Sequence, residues 1–378
     1  MTIDAIDFIQ KLVQCQSVTP ADGGAIPLLE STLTELGFTC HRLKFQEDGT
    51  EAVENLYARY GTAEPNFCFA GHTDVVPTGD GWRFPPFSAT IDNGVIYGRG
   101  TEDMKGGIAC FVAAVSKFLQ ENKDFGGSIS FLITGDEEAI AINGTKKVLK
   151  WMEEQGEEIT VCLVGEPTND DKIGDVIKIG RRGSINTKLT VHGVQGHVAY
   201  PEHSDNPITK LVDILHDLQH VKLDEGNESF QPSNLEIVSV DVGNSACNVT
   251  PKSAEARFNI RFNNNHTLAS LEKQITEIVK KYTDVFKLEF DKSGEAFLTK
   301  DEHFIGVVRD AIKATTGIKA NLDTGGGTSD ARFIKDYCPV VEFGFISKTL
   351  HKVDENIAVA DAYTLTDIYH EVLKGYFK

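Results

Sequence analysis

Seven residues, His72, Asp74, Asp103, Glu137, Glu138, Glu166 and His351, combine imidazole and carboxylate groups, the donor types that hold divalent metal ions. Most stand just after apolar, strand-like runs. Asn66–Ala70 precedes Gly71-His72-Thr73-Asp74, Ser128–Thr134 precedes Gly135-Asp136-Glu137-Glu138, and Thr160–Val164 precedes Gly165-Glu166-Pro167, while Pro339–Phe343 lies upstream of Leu350-His351-Lys352. In an open α/β sheet, ligands bind beyond the carboxyl ends of the strands. The placement therefore points to a metal-dependent hydrolase.

Each group also has a plainer reading. In His72-x-Asp74 the imidazole can ligate a metal while the acid two residues on accepts the other ring N–H, although such pairs also arise by chance. Asp103 sits in a glycine-rich stretch, Gly98 to Gly107, that enters a helix, where an aspartate commonly caps. Adjacent acids leaving a strand diverge, so Glu137 and Glu138 can divide proton transfer and metal binding between them; the alternative is a solvated acidic turn. Glu166 and His351 could each be a hydrogen-bonded buried polar residue. Their joint occurrence at strand ends favours the metal site.

The elements that would position these groups follow from periodicity. An amphipathic start with Phe8, Ile9, Leu12 and Val13 leads into alternating strands and helices, including a helix over Gly107–Gln120, a pattern that implies a sandwiched α/β sheet. From about Arg181 the rhythm changes. Strand Ser184–Val191, helix Asn206–His220, strands Leu235–Val242 and Ala254–Phe262, helix Thr267–Tyr282 and strand Phe286–Phe290 give the ferredoxin-like order β-α-β-β-α-β. Helical patterns resume over Asp301–Thr315 and Thr328–Lys335. The expected fold is an α/β catalytic domain built from residues 1–180 and 293–378, with a ferredoxin-like domain over 181–292 inserted into it.

Composition narrows the partners. The 378 residues carry 37 Lys plus Arg against 56 Asp plus Glu, a net charge of -19 that repels phosphate backbones and anionic membrane surfaces. Nucleic acid and membrane are therefore not expected as partners. The acids at Asp4 and Asp7 stand where a secretory leader would be cationic, so the cytoplasm is the expected compartment. Cys15, Cys40, Cys68, Cys110, Cys162, Cys247 and Cys338 form no Cys-x-x-Cys pair, and they are expected to be reduced, mostly buried packing residues.

Gly71-His72-Thr73-Asp74-Val75-Val76-Pro77, Asp103-Met104-Lys105-Gly106, Glu137-Glu138, Gly165-Glu166-Pro167-Thr168 and Gly325-Gly326-Gly327-Thr328-Ser329-Asp330 together resemble the aminoacylase/carboxypeptidase family of di-zinc amidohydrolases, nearly end to end. The resemblance implies two zinc ions, with cobalt able to substitute. Asp103 would bridge them, His72 and Glu166 completing one site and Glu138 and His351 the other. Glu137 would be the general base and Asp74 would support the ligands. His197, within Gly193-Val194-Gln195-Gly196-His197-Val198-Ala199-Tyr200-Pro201, resembles a family histidine that reaches a neighbouring subunit's site to stabilise an oxyanion. The inserted domain would then be both lid and interface of a homodimer; without that motif, His197 is a turn residue.

Arg181, Ser184, Tyr200, Asn248, Arg261 and Thr328 match positions that hold substrate carboxylates and polar groups. The resemblance implies cleavage of a small N-succinyl amino-acid amide, N-succinyl-LL-2,6-diaminopimelate. The alternatives are an N-acetyl amino acid such as acetylornithine, a dipeptide, or a non-catalytic metal-binding dimer. Cys247 stands where the family commonly begins an Asn-Asn-Val run, and Ser347 where Asn is usual.

Overall fold

The computed structural model describes residues 2–378, which form two compact units. One comprises the described residues up to Ile179 with Thr299–Asp323 and Ser329–Lys378; the other comprises Gly180–Leu298 and Thr324–Thr328.

The first unit is built on an eight-stranded sheet in the order Thr39–Phe45, Val53–Tyr60, Ser128–Thr134, Asn66–His72, Val161–Val164, Val340–Glu342, Val176–Lys178 and Asn321–Asp323. Its middle is parallel. Asn66–His72 pairs in parallel with Ser128–Thr134 and with Val161–Val164, which in turn pairs in parallel with Val340–Glu342. Every residue of these four strands is buried, as parallel strands under helical cover must be.

Register then decides where the polar residues emerge. His72 lies opposite Thr134 and Ala70 opposite Val164, so the turn at Glu137 and Glu138 and the loop at Glu166 leave the sheet beside His72. Phe69 stacks on Phe111 at 4.2 Å, Phe131 meets Phe111 edge-on at 5.3 Å, and the Tyr369 hydroxyl donates to the Phe343 carbonyl at 2.7 Å. These aromatic contacts tie the central strands to helices Lys105–Glu121 and Val359–Tyr376.

The helix expected from Gly107 starts earlier, at Lys105, and its N-cap is Met104, with no side-chain cap. Asp103 is therefore not a capping residue, and its carboxylate is turned to other partners. Gly107 lets this helix approach the strand-end loop closely: a Cβ there would lie 2.7 Å from the Gly165 carbonyl oxygen. The segment expected to be helical over Thr328–Lys335 contributes only Ala331–Ile334.

The second unit has an antiparallel sheet in the order Asn234–Asp241, Ser253–Phe262, Gly183–His192 and Phe286–Gly294. Helices Pro207–His220 and Leu268–Lys280 complete the β-α-β-β-α-β order, and a short ribbon pairs Gly196–His197 with Val249–Thr250. Asn206 caps the first helix by accepting from the Ile208 N–H, and Thr267 and Ser270 form a capping box on the second. Ile185, Leu189, Phe258, Ile260, Leu211 and Ile275 belong to one buried cluster. Val238 and Val240, on the edge strand, are 66% and 53% exposed.

Loop 324–328 groups with this unit although its neighbours in sequence do not. Thr324 donates through its hydroxyl to the Ser229 carbonyl, and Arg181 Nη1 donates to the Gly325 carbonyl at 3.1 Å.

Candidate active site

The first unit gathers all seven acids and histidines that open the sequence reading. Asp103, 7% exposed, points its two carboxylate oxygens at different histidines: Oδ1 lies 3.1 Å from His72 Nε2, and Oδ2 lies 3.3 Å from His351 Nε2. Glu166 Oε1 is 3.8 Å from the same His72 nitrogen, and Glu138 Oε1 is 2.9 Å from His351 Nε2. The donor atoms of His72, Asp103 and Glu138 lie within 4.8 Å of one another, as do those of His72, Glu137 and Glu166.

Asp74 departs from the expected arrangement. His72 Nδ1 lies 2.9 Å from the Asp74 backbone carbonyl, whereas the carboxylate is 3.6 Å away. That ring N–H is oriented by the main chain. The Asp74 carboxylate instead accepts from the backbone N–H of Glu137 at 3.1 Å and of Glu138 at 3.0 Å, and from the Thr19 hydroxyl at 2.8 Å. It thereby ties the turn bearing both glutamates to the His72 strand. An acid two residues after a strand-end histidine signals some support role, but only the fold shows which hydrogen bonds it accepts.

Burial and neighbouring charges set the pKa values of the cluster. Burial raises Glu137 to about 8, with Asp330 and Glu138 adding to the shift and His72 and Arg332 opposing it. Burial, then the Asp103 and Glu137 charges, pushes Glu166 well above the usual carboxylate range. Burial works against a charged His72, yet the bond to Asp103 and the charges of Glu166 and Asp74 together hold its pKa well above normal. Bonds to Asp103 and Glu138 raise His351 to about 10. Asp103 is held low, because its bonds to both histidines outweigh its burial. Packed this closely, Glu137, Glu166, His72 and His351 all have their pKa values raised, so the cluster favours holding protons. Oxygen and imidazole donors in this arrangement fit divalent metal ions.

Arg332 was not singled out from the sequence. Its Nη1 lies 3.8 Å from Glu137 Oε1 and its guanidinium packs over Phe333. Its position two residues after Asp330, in the stretch that follows the glycine run, was the available signal.

In the second unit the expected substrate residues fall into two groups. Ser184 and Arg261 face each other across paired strands; Asn259 donates to the Ser184 hydroxyl at 3.2 Å and accepts from Arg261 Nε at 3.0 Å. Arg181 is buried, with the 324–328 loop carrying Thr328 beside it at Gly325 and Gly326. Burial lowers the Arg261 pKa. In the other group the His197 ring lies tilted beside Tyr200, ring centres 5.6 Å apart, and His197 pairs across the short ribbon with Val249, next to Asn248. His197 and Asn248 are exposed, and Tyr200 is 56% exposed.

Residues 68–375, a span that takes in every one of these positions, match the family described as Peptidase family M20/M25/M40. The chain belongs to this peptidase family. Among curated M20 relatives, it is 55% identical to a succinyl-diaminopimelate desuccinylase of Rhodospirillum centenum, over 100% of this chain and 98% of that protein. It is 50% identical to one of Pelagibacter ubique, with both chains covered in full. Solved structures share the fold at lower identity. An M20 metallo-carboxypeptidase from Sulfolobus solfataricus superposes with a TM-score of 0.78 at 17% identity, covering 99% of each chain. An aminopeptidase from Bacillus cereus gives a TM-score of 0.80 at 21% identity over 99% of this chain and 98% of that one.

Neither departure in this M20 chain removes a candidate ligand. Cys247 is exposed, and the Ser347 N–H donates to the Asn169 carbonyl at 2.7 Å. The cysteines divide between the readings: Cys68, Cys110, Cys162 and Cys338 are buried, Cys15 and Cys40 are half-buried, and all seven are free thiols.

Proposed function

We propose that this chain is a metal-dependent amidohydrolase that cleaves N-succinyl-LL-2,6-diaminopimelate to succinate and LL-2,6-diaminopimelate, in lysine and cell-wall precursor biosynthesis. Asp103, with one carboxylate oxygen on each of two histidines, carries the hydrolytic reading. The substrate rests on full-length relatives of 50% identity or more that are named for that activity.

His72, Asp103 and Glu166 would hold one ion and Glu138, Asp103 and His351 the other, zinc or a substituting cobalt. Such ions acidify water and polarise an amide carbonyl. Glu137, nearly buried and held by its backbone N–H to Asp74, accepts the proton of the attacking water and returns it to the departing amine nitrogen. Asp74 is a positioning residue for that turn.

Arg181 and Arg261 would take substrate carboxylates through paired N–H donors, with Ser184, Tyr200, Asn248 and Thr328 supplying polar contacts. His197 would act in the partner's site of a homodimer, as donor to the oxyanion. Exposed Val238 and Val240 on a sheet edge, and exposed Val212 on helix Pro207–His220, favour a self-associating unit. Its free thiols suit a reducing compartment, the cytoplasm, and no helix among the described residues is long and apolar enough to cross a membrane.

The test is a panel of N-acyl substrates on the zinc-loaded enzyme. kcat/KM for the succinyl-diaminopimelate should exceed that for acetylornithine by about 10²-fold or more, because acetylornithine lacks the acyl carboxylate that the Arg261 guanidinium would answer. Arg261→Ala should narrow that ratio. Equal or better use of acetylornithine would overturn the substrate while leaving the hydrolase standing.

A further inference from the structure

Two buried carboxylates with no part in the reaction above join the segment bearing Asp103 to the segment bearing His351. Glu355, four residues beyond His351 and 1% exposed, accepts from the backbone N–H groups of Gly100, Glu102 and Asp103 at 3.0, 2.9 and 3.2 Å, and from Arg99 Nη1 at 2.7 Å. Glu102, immediately before Asp103 and also buried, does the converse. Its oxygens accept from the backbone N–H of Thr349 at 2.8 Å and of Leu350 at 3.0 Å, and from the Thr349 hydroxyl. Each segment thus lends a carboxylate to the backbone of the other.

The geometry matters most at His351. Its backbone is left-handed, φ 60°, a conformation that a residue with a Cβ adopts at a cost, and its side chain is 48% exposed. Packing alone does not hold it. The loop's neck is closed by the Asn356 N–H donating to the Thr349 hydroxyl at 3.0 Å, and that hydroxyl is one of the groups Glu102 engages. Asp103 sits in buried surroundings on the other side of the clamp. Removing either acceptor leaves several backbone N–H groups without their partner.

We propose that Glu102 and Glu355 form a reciprocal clamp setting the separation of Asp103 and His351, which makes Glu102 a positioning residue for the ion on the His351 side. The proposal rests on the two-ion reading of the site. It concerns how the chain shapes that site, and no contact of Glu102 with substrate is involved.

Calorimetric titration of the metal-free full chain with zinc alone tests it, on the wild type, Glu102→Ala, Glu102→Gln, Thr349→Val and, as marker of the affected site, His351→Ala. One binding event, the same one that His351→Ala removes, should weaken about 10- to 100-fold in Glu102→Ala while the other stays within about twofold, the range of effect expected for groups that orient ligands. Glu102→Gln, which keeps one acceptor oxygen, should fall between. Thr349→Val removes a single hydroxyl from a half-buried loop, and it should show a smaller loss at the same event should Glu102→Ala fail to fold. Two events unchanged in the folded variants, or both weakened in parallel, overturn the clamp. A wild type that takes up only one ion removes the two-ion reading and the clamp together, which distinguishes the two failures.

Discussion

The two units present their candidate residues differently: in the first all but half-exposed His351 are buried or nearly so, and in the second buried Arg181 and Ser184 contrast with exposed His197, Tyr200 and Asn248. In the first, His72, Asp103 and Glu166 are buried and Glu137 and Glu138 nearly so, and all of these but Asp103, which precedes helix Lys105–Glu121, follow strands without an exposed residue. In the second, strand Gly183–His192 alternates buried and exposed positions, and His197, Tyr200 and Asn248 face solvent. Parallel strands covered on both faces can hold ligands to a fraction of an ångström, whereas an antiparallel sheet with one open face leaves groups free to meet a substrate or a second chain. The difference teaches that the candidate metal donors are pre-organised within one unit, whereas the second unit keeps several of its candidate residues open to solvent.

The sharpest way to break this contrast is to remove the shared carboxylate. Asp103→Ala should lose both ions by elemental analysis and reduce activity to background, because on the proposed assignment each half of the centre would use one of its oxygens. Chelation of the wild type should do the same, and full activity in metal-free protein would end the hydrolytic reading. Next in size is Glu137→Gln. It should retain its metal and fold while kcat falls by about 10²- to 10⁴-fold, the usual contribution of a general acid–base. Near-normal turnover would remove Glu137 from that role.

The exposed residues of the second unit predict complementation. His197→Ala and Glu137→Ala chains, each nearly inactive alone, should recover activity when their subunits are exchanged, because each mixed dimer contains one site with both groups intact. Verified mixed dimers that stay inactive, with metal content and fold preserved, would return His197 to its own chain or to a plain turn.

The smallest effect is on stability, and its sign follows from the protons that the metal-free cluster retains. Glu137 is raised from 4.5 to about 8, so between those values the folded chain binds more protons than the unfolded one and stability falls as pH rises. Glu166, His72 and His351 shift in the same upward sense, and Asp103, held low, stays ionised throughout this window. The Tm of metal-free protein should therefore drop from about pH 5 to about pH 8, and zinc should flatten the slope. A rising Tm, or a slope indifferent to zinc, would contradict the account of a cluster that favours holding protons.

Much of this was legible in the residues. Apolar runs ending in Gly-His-Thr-Asp, Gly-Asp-Glu-Glu and Gly-Glu-Pro mark buried strands that deliver acids to one edge, and the change of rhythm near Arg181 marks the β-α-β-β-α-β unit, because side-chain periodicity is a local property. The first helix turn at Lys105 was not, since two consecutive glycines weaken the helical signal there and tertiary packing against Gly165 restores it.

By itself, then, the sequence determined the donor types, the strands that carry them, the acidic balance and the kinship of the chain, all of which depend on residue identity and short spacing. Only the tertiary structure decided that Asp74 serves the Glu137–Glu138 turn through its carboxylate and His72 through its backbone, that loop 324–328 groups with the second unit, and that Glu102 and Glu355 cross-brace segments some 250 residues apart. Hydrogen bonds are directional and short-ranged, so a buried acceptor's partners are chosen by whichever backbone the fold brings within about 3 Å, and no local pattern records that choice.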